Sequence, residues 1–244
     1  MMGVVVPTRG RPDNARRLVA RIEALSGRHD RPAVVLCTDF DDLHIREYDN
    51  VAAVGRVKHL PYDHGAMAPS NRKGASTFVR NVNRGAAWLD RTFGSLLTSI
   101  TVIGDDHLPQ RAGWLATLDE YAGDWGMAYP NDGHQGEALP TCVTFGIELY
   151  RALGFICPPR AMQHLYTDNY WYALGVGLQA LTYCAQVEVT HLHPHAGLAP
   201  TDAQYDRVYG THRRTWDERE WVRYREEPLR ADIERVQTAK AARS

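Results

Sequence analysis

The chain has 244 residues, a formal net charge of −1, and 44% hydrophobic and 23% charged residues. This is the composition of an ordinary folded protein, long enough for one large α/β domain and too short for two. The low net charge excludes binding of nucleic acid through overall charge alone. The four cysteines form no C-x-x-C pair, and the amino terminus has no basic lead of the kind that opens a signal peptide. No stretch approaches the roughly 20 apolar residues that span a bilayer, so we expect a cytoplasmic protein.

The first part of the chain has the pattern of a strand, a helix and a second strand. Residues 4–6 form a β-branched run that is typical of a buried parallel strand. Asp13 is placed to cap the helix that follows, and Gly27 is placed to end it. Residues 33–37 predict a second buried strand, which runs into an acidic turn. This order of elements predicts a doubly wound sheet, mainly parallel and flanked by helices.

The remaining elements continue this α/β pattern. Helices are predicted at 77–89, around Trp114, at 147–153 and at 168–178, and strands at 99–103, 127–129, 141–145 and 181–189. The Gly-rich segment 131–139 predicts a mobile loop. Thr215 and Glu218 have the spacing of a capping box, and the charged tail after Leu229 predicts a peripheral helix that frays. We therefore predict one Rossmann-like domain over residues 1–210 and a C-terminal helical extension over residues 211–244.

Polar clusters follow three of the predicted strands. Pro7, Thr8 and Arg9 follow the first strand, and Asp39 follows the second. The third strand runs directly into residues 104–107, Gly-Asp-Asp-His. Because open α/β sheets bind their ligands beyond the carboxyl ends of the strands, we expect these clusters to converge on one site.

Asp105 and Asp106 are adjacent carboxylates at the end of a strand, and they repel each other unless a positive group lies beside them. A divalent cation bound to a diphosphate is a natural counter-charge, and Mn²⁺ or Mg²⁺ takes carboxylate and phosphate oxygens. The alternative is a pair of solvated loop aspartates, and the pair alone does not decide between the two. Further cations for a diphosphate are available at Arg9, Arg11, Arg72, Lys73 and Arg80, although each could equally be a solvated surface residue.

Two more groups of residues are candidates for chemistry. His191, His193 and His195 alternate after a predicted strand, and neutral imidazole is a good ligand for borderline metal ions. We expect His191 or His193 to bind metal and His195 to be exposed. Asp168 begins a predicted helix, where it is either an ordinary first-turn aspartate or a general base for an acceptor hydroxyl.

These clusters, in this order, resemble the family 2-like glycosyltransferases of the GT-A fold, in particular small enzymes of bacterial and phage origin. The resemblance covers residues 4–205. Residues 5–12 are similar to the first strand and nucleotide loop of that family, and residues 103–107 to its metal motif. Residues 164–168 resemble the segment that carries its base, and residues 191–194 its late metal-ligand region. The family motif is usually Asp-x-Asp, and here its third position is His107, which stays unassigned.

The resemblance implies a role for each candidate. Pro7, Thr8 and Arg9 would frame the nucleotide, Asp39 would reach its nucleobase, and Arg80 would help to bind the nucleobase or a phosphate. Asp105 would hold the ribose, and Asp106 with His191 or His193 would hold Mn²⁺ or Mg²⁺. Asp168 would be the general base. The implied reaction moves a sugar from a nucleotide-diphosphate sugar, by default a uridine one, to a hydroxyl with inversion. The acceptor is left open among a glycan, a lipid-linked sugar, a protein and a modified DNA base, and so is the oligomeric state.

Three other classes of function are compatible with parts of this pattern. A metal-dependent hydrolase or deaminase would use Asp105, His191 and His193 at a zinc site made by the protein, with no need for a nucleotide. A nucleotidyltransferase would also use a carboxylate pair and metal, and would bind a nucleoside triphosphate better than a nucleotide-sugar. A binding module without catalysis is disfavoured by the near-neutral charge and by carboxylates at the ends of buried strands.

Overall fold

The centre of the protein is a twisted sheet of eight strands, in the part of the chain that the computed structural model describes: residues 1–27, 31–39, 41–53, 56–61, 78–159, 161–209 and 211–243. In chain order the strands are β1 (Met2–Thr8), β2 (Ala33–Thr38), β3 (Val57–Pro61), β4 (Ser99–Val102), β5 (His107–Pro109), β6 (Met127–Asn131), β7 (Val143–Gly146) and β8 (Leu181–His191). Their order across the sheet is β3-β2-β1-β4-β7-β6-β8-β5. The first four of these are parallel to one another, β6 and β8 are parallel, and β7 and β5 run antiparallel to their neighbours.

Helices cover both faces of the sheet. They are α1 (Pro12–Leu25), α2 (Ile45–Ala52), α3 (Phe78–Phe93), α4 (Trp114–Ala122), α5 (Ile147–Leu153), α6 (Thr167–Gly177), α7 (Ala203–Tyr209), α8 (Thr211–Tyr224) and α9 (Glu227–Ala241). Alternate residues of β1 point to opposite faces. Val5 packs in the core under α3 and α5, whereas Val4 and Val6 pack in the core under α1 and α4. The sheet therefore separates two hydrophobic cores, as expected for an α/β domain.

One glycine lets α3 lie close to the sheet. A Cβ atom at Gly85 would lie 2.7 Å from Cγ1 of Val5 and 2.8 Å from Sγ of Cys37, which is closer than atoms can pack. The missing side chain brings α3 against β1 and β2, and its neighbour Asn81 reaches the carboxyl ends of these strands. This packing places a helix side chain in the site described below.

The predicted fold class is confirmed, and most predicted elements are present. The helix predicted at 147–153 is α5 with the same bounds, and the strands predicted at 4–6, 33–37, 99–103 and 181–189 are β1, β2, β4 and β8. Four elements were not predicted, namely α2, β3, β5 and α7. Residues 62–77 lie outside the described residues, and with them Arg72, Lys73 and the predicted start of a helix at 77.

Two local predictions are wrong. Asp13 does not cap α1, because the helix begins at Pro12 and its first turn contains Asp13. Thr215 and Glu218 lie inside α8, which begins a turn earlier at Thr211, so they form no capping box. The helix predicted in the tail is present as α9, which packs on α5 and α6 and buries Leu229 and Val236.

The tail also contributes a buried polar contact. Asp232 on α9 accepts hydrogen bonds from the hydroxyls of Tyr170 at 3.2 Å and Tyr224 at 2.8 Å, which joins α6, α8 and α9. The division of the chain at residue 210 stays a prediction. Among the described residues, no helix is long and apolar enough to cross a membrane.

Candidate active site

A cleft of about 460 Å³ lies beyond the carboxyl ends of β1, β2 and β4. That volume is typical of a site for a small ligand, and the position is where open α/β sheets bind theirs. Nine of the ten predicted site residues line it: Pro7, Thr8, Arg9, Asp39, Asp105, Asp106, Asp168, His191 and His193. The convergence expected from the strand ends is therefore present in the structure.

Asp105 lies at the floor of the cleft, directly after β4. Its buried carboxylate accepts a 2.6 Å hydrogen bond from Oγ1 of Thr8 and a 3.3 Å one from Arg11. Burial and the neighbouring charge of Asp106 raise the pKa of Asp105 to about 7, while Arg11 and Thr8 oppose this shift. A donor or a positive group brought by a ligand would stabilise its charged form.

Asp106 and two histidines form a group of possible metal ligands. Oδ1 of Asp106 lies 2.9 Å from Nδ1 of His107 and 3.7 Å from Nε2 of His191. The ligand atoms of these three residues all lie within 4.8 Å of one another, the one such group found among the described residues. Metal–ligand bonds of about 2.1 Å place two ligand atoms of one ion roughly 3 to 4 Å apart, so the three residues fit a divalent cation.

Gly104 makes room for this arrangement. A Cβ atom at position 104 would lie 2.7 Å from Oδ1 of Asp106 and 2.9 Å from Nδ1 of His107. Any side chain there would push between two of the candidate ligand atoms. The glycine in the motif is thus explained by close approach of the ligands to the backbone.

The charges in this group are mutually adjusted. Burial favours the neutral form of Asp106, but hydrogen bonds and charge from His107 and His191 lower its pKa well below the usual value. Burial works against the charged form of His191, yet Asp106 and Asp132 raise its pKa to about 9. The pKa of His107 is lowered by burial and by the charge of His191. Binding of a metal ion would displace the proton between Asp106 and His191.

His193 does not join this group, contrary to one of the two predicted choices. Its Nδ1 accepts a 3.1 Å hydrogen bond from the backbone N–H of His195, and its Nε2 lies 3.4 Å from the hydroxyl of Tyr209. Burial and the charges of His191 and His134 lower the pKa of His193 to about 4. The chain leaves β8 at His191 and turns, so the alternation of an extended strand no longer applies. The second histidine of the group is His107, which the sequence left unassigned.

Asp132 was not predicted, and it organises the residues behind the histidines. It follows β6, is 2% exposed, and accepts hydrogen bonds from the backbone of residues 134–136 and from Thr141 and His191. Although burial opposes it, these hydrogen bonds lower the pKa of Asp132 far below its usual value. The segment 131–139, predicted to be a mobile loop, is held at its beginning by this carboxylate.

Asp39 forms the other end of the cleft, at the end of β2. It is buried and accepts hydrogen bonds from Arg9 at 2.7 Å, Asn81 at 2.8 Å and Arg207 at 3.4 Å. Burial raises the pKa of Asp39, and the charge of Arg9 opposes the shift. Arg80, the tenth predicted residue, is absent from the described lining of the cleft, because adjacent helical residues point about 100° apart and it is Asn81 that faces the cleft.

Asp168 lines the cleft from the first turn of α6. Burial raises its pKa, partly offset by hydrogen bonds from the backbone N–H groups of Asn169 and of Asp168 itself. Tyr166, two residues before Asp168, has a positive φ of 66°, which is unusual for a residue other than glycine. Asp217 on α8 holds this approach in place, because its carboxylate accepts the backbone N–H groups of residues 163–165.

Helix α7 covers the cleft and was not predicted. Arg11 makes two 2.7 Å hydrogen bonds to Asp202, just before α7, and its guanidinium lies 4.7 Å from the ring centre of Tyr205. The hydroxyl of Tyr205 donates to Asp106, and Arg207 reaches Asp39. No motif in the sequence marks these contacts, since each joins residues more than 90 positions apart.

Comparisons with known proteins agree with this fold. No protein-family model and no curated protein matches the sequence. Among solved structures, a mannosyltransferase from Pyrobaculum calidifontis in complex with GDP-Man and Mn²⁺ is 13% identical, with a TM-score of 0.54 over 99% of this chain and 74% of that one. The 1–349 fragment of S. aureus TarS in complex with UDP is 11% identical, with a TM-score of 0.52 over 78% of this chain and 60% of that fragment.

A third structure is the catalytic domain of Drosophila β1,4-galactosyltransferase 7 in complex with xylobiose. It is 12% identical, with a TM-score of 0.51 over 84% of this chain and 77% of that domain. At such low identity the likeness establishes the fold and nothing finer. The chain has a Rossmann-like α/β fold that it shares with these glycosyltransferase structures.

Proposed function

We propose that the protein is a metal-dependent glycosyltransferase, which moves a sugar from a nucleotide-diphosphate sugar to an acceptor hydroxyl. The observation that carries the proposal is the composition of one cleft at the strand ends. A possible base-binding carboxylate, Asp39, lies at one end, the group Asp106–His107–His191 lies at another, and the half-buried Asp168 faces the same space. Nucleotide, diphosphate and acceptor each have a place in this arrangement.

The nucleotide would bind along the ends of β1 and β2. Asp39 would accept an N–H of the base, with Arg9 and Asn81 keeping its carboxylate in position. Asp105 would accept a ribose hydroxyl, supported by Thr8. Uridine is the nucleoside we favour by resemblance; among the similar structures, TarS was solved with UDP and the mannosyltransferase with GDP-Man.

The diphosphate would lie beside Asp106, His107 and His191, with Arg11 at hand. A divalent cation held by these residues would neutralise the charge on the departing diphosphate. Two imidazoles beside one carboxylate suit a transition-metal ion better than Mg²⁺, which prefers oxygen ligands. We therefore propose Mn²⁺ rather than Mg²⁺, in line with the mannosyltransferase that was solved with Mn²⁺.

Asp168 would act as the general base. Its pKa is raised by burial, which makes a carboxylate a stronger base for the proton of an acceptor hydroxyl. The oxygen freed in this way would attack the anomeric carbon from the face opposite the diphosphate, and this single displacement inverts the centre. Water excluded by α7 would otherwise compete with the acceptor.

Binding of donors can be tested without knowledge of the acceptor. Purified protein is screened by thermal unfolding against UDP-, GDP-, CDP- and ADP-linked sugars, each with Mn²⁺, with Mg²⁺ and with EDTA. We expect sugars linked to one of these nucleotides to raise Tm in the presence of Mn²⁺. The increase in Tm should be smaller with Mg²⁺ and absent with EDTA. Stabilisation by a nucleoside triphosphate alone, or by metal with no dependence on a nucleotide-sugar, would contradict the proposal.

A further inference from the structure

We propose that Asp132 is a positioning residue that fixes both histidines of the metal site, directly for His191 and through Thr141 for His107. The inference rests on the proposed function, since it assumes that Asp106, His107 and His191 hold a cation. It adds the outer residues that decide which nitrogen of each imidazole faces that cation. Both outer residues, Asp132 and Thr141, come from the segment between β6 and β7, which is distant in sequence from the metal motif.

The carboxylate of Asp132 is itself held rigidly. Its Oδ1 accepts three backbone N–H groups, from His134 at 2.9 Å, Gln135 at 2.7 Å and Gly136 at 2.9 Å. Its other oxygen, Oδ2, is left for side chains, and the whole residue is 2% exposed. Because the backbone of its own loop fixes the carboxylate through Oδ1, Oδ2 can orient the side chains that donate to it.

His191 is one of those groups. Its Nδ1 lies 3.4 Å from Oδ2 of Asp132, and a carboxylate accepts hydrogen bonds but does not donate them, so Nδ1 carries the hydrogen. The backbone N–H of His191 also donates to the carbonyl of Asp132 at 2.9 Å. With Nδ1 engaged in this way, Nε2 is the nitrogen that points to Asp106 and is available for a metal ion.

His107 is fixed one step further away. The hydroxyl of Thr141 has a single hydrogen, and it donates that hydrogen to Oδ2 of Asp132 at 2.7 Å. The hydroxyl oxygen of Thr141 also lies 3.2 Å from Nε2 of His107, so this oxygen accepts the hydrogen on Nε2. The nitrogen left for a cation is then Nδ1, which donates to Oδ1 of Asp106 at 2.9 Å in the metal-free protein. A cation shared by these two atoms would replace that hydrogen.

One buried carboxylate thus sets the orientation of two ligands that stack with ring centres 3.8 Å apart. Outer partners of this kind fix the tautomer of a ligating histidine, and their loss typically weakens metal binding about 10- to 100-fold. Replacing Asp132 by Asn puts an N–H₂ group where only acceptors fit, and it should disturb both rings together. Replacing Thr141 by Val removes the link to His107 alone.

The test is titration calorimetry of the full chain with Mn²⁺ alone, after removal of metal with EDTA and dialysis. We expect Asp132→Asn and Thr141→Val to raise the Kd for Mn²⁺ by about 10- to 100-fold. Thr141→Ser keeps the hydroxyl and should keep the wild-type Kd. Asp217→Asn is the matched control for Asp132→Asn, because Asp217 is also a fully buried carboxylate that accepts three backbone N–H groups.

The outcomes separate the two proposals. If the wild type binds Mn²⁺ and both Asp132→Asn and Thr141→Val bind it equally well, the positioning role of Asp132 is wrong while the metal site stands. If the wild type binds no Mn²⁺, the metal site itself is wrong. A loss in Asp217→Asn as large as that in Asp132→Asn would assign the effect to general destabilisation and overturn the inference. Should Asp132→Asn fail to fold, the comparison of Thr141→Val with Thr141→Ser decides.

Discussion

The hydroxyl of Tyr205 donates a 2.9 Å hydrogen bond to Oδ2 of Asp106. This bond ties α7, which covers the cleft, to the carboxylate that follows β4. Oδ1 of the same carboxylate faces His107 and His191, so the two oxygens of Asp106 serve different partners. Tyr205 therefore orients Asp106 from outside the group of candidate metal ligands, and its ring also lies under the guanidinium of Arg11.

Replacing Tyr205 by Phe tests the contribution of this hydrogen bond to stability. Tyr205→Phe keeps the ring below Arg11 and removes only the donor to Asp106. We expect the metal-free protein to lose about 1–2 kcal/mol of unfolding free energy, since the bond is made to a charged acceptor. The measurement is urea denaturation in EDTA. Tyr209→Phe is the control, because the hydroxyl of Tyr209 makes a longer 3.4 Å contact with His193. Equal losses in the two variants would count against a specific role for Tyr205.

Replacing Asp106 by Asn tests the metal ligand. Asn has the same shape but no charge, and a divalent cation needs the anionic oxygen between His107 and His191. We expect Mn²⁺ binding to weaken by at least about 100-fold, which is the upper end of the effect of outer partners. Calorimetry with Mn²⁺ measures the change. Asp13→Asn, whose side chain is 89% exposed on α1, is the control and should bind as the wild type does. Unchanged binding in Asp106→Asn would remove Asp106 from the site.

Replacing Asp168 by Asn tests the general base. The amide cannot take up a proton, so we expect kcat to fall by about 10²- to 10⁴-fold while the affinity for the donor is kept. Steady-state kinetics and calorimetry with the donor on the same variant separate the two effects. Normal transfer by Asp168→Asn would show that another group removes the proton.

The pH dependence of transfer provides a separate test of Asp168. The active form of a base is the carboxylate, so kcat should decline as pH falls through its pKa. Because burial raises the pKa of Asp168, this decline should begin at a higher pH than for an ordinary aspartate. The residual activity of Asp168→Asn should lack this acid limb, and an identical limb in both proteins would assign it to another group.

Asp232 allows a test of the buried contact in the C-terminal helices. Burial raises its pKa, and the hydroxyls of Tyr224 and Tyr170 only partly offset this. Because the pKa of Asp232 is raised in the folded protein, the stability that this carboxyl group contributes is fully present at pH values below its pKa in the unfolded chain. That contribution is lost as the pH rises through its pKa in the folded protein. Asp232→Asn cannot titrate and still accepts both hydroxyls. We therefore expect the difference in unfolding free energy between variant and wild type to shift in favour of the variant as pH rises.

Urea denaturation of both proteins across the acidic range, in steps of pH, measures that difference. Asp13→Asn serves again as the control, and its difference from the wild type should not follow the same course. A constant difference between Asp232→Asn and the wild type at every pH would show that Asp232 has an ordinary pKa in the folded protein.

Part of the site was predictable from the sequence, because open α/β sheets bind their ligands beyond the carboxyl ends of the strands. Asp39, Asp105 and Asp106 each follow an apolar strand, and the structure brings all three into the cleft. Applied to β6, the same rule would have found Asp132, which follows that strand directly. It was overlooked because its loop resembles a mobile Gly-rich segment, whereas the carboxylate holds that loop by accepting its backbone N–H groups.

Other residues could not be predicted, for two physical reasons. Which residue of a helix faces a cleft depends on its rotation, and this decided between Arg80 and Asn81. The short β5 pairs His107 with His191 in register, and only this tertiary pairing stacks the two rings. Local sequence gives no sign of such pairing, so only the structure could place His107, which the sequence left unassigned, beside His191.

The ion pair between Arg11 and Asp202 has a consequence for folding of the protein during its synthesis on the ribosome. These two residues are separated by 191 positions, whereas Thr8 and Asp105 are separated by 97. The floor of the cleft can assemble once Asp105 has emerged, but its cover has to wait until Asp202 and α7 have been synthesised. A nascent chain would therefore expose the carboxylates of Asp105 and Asp106 to solvent until α7 has emerged and closed the cleft.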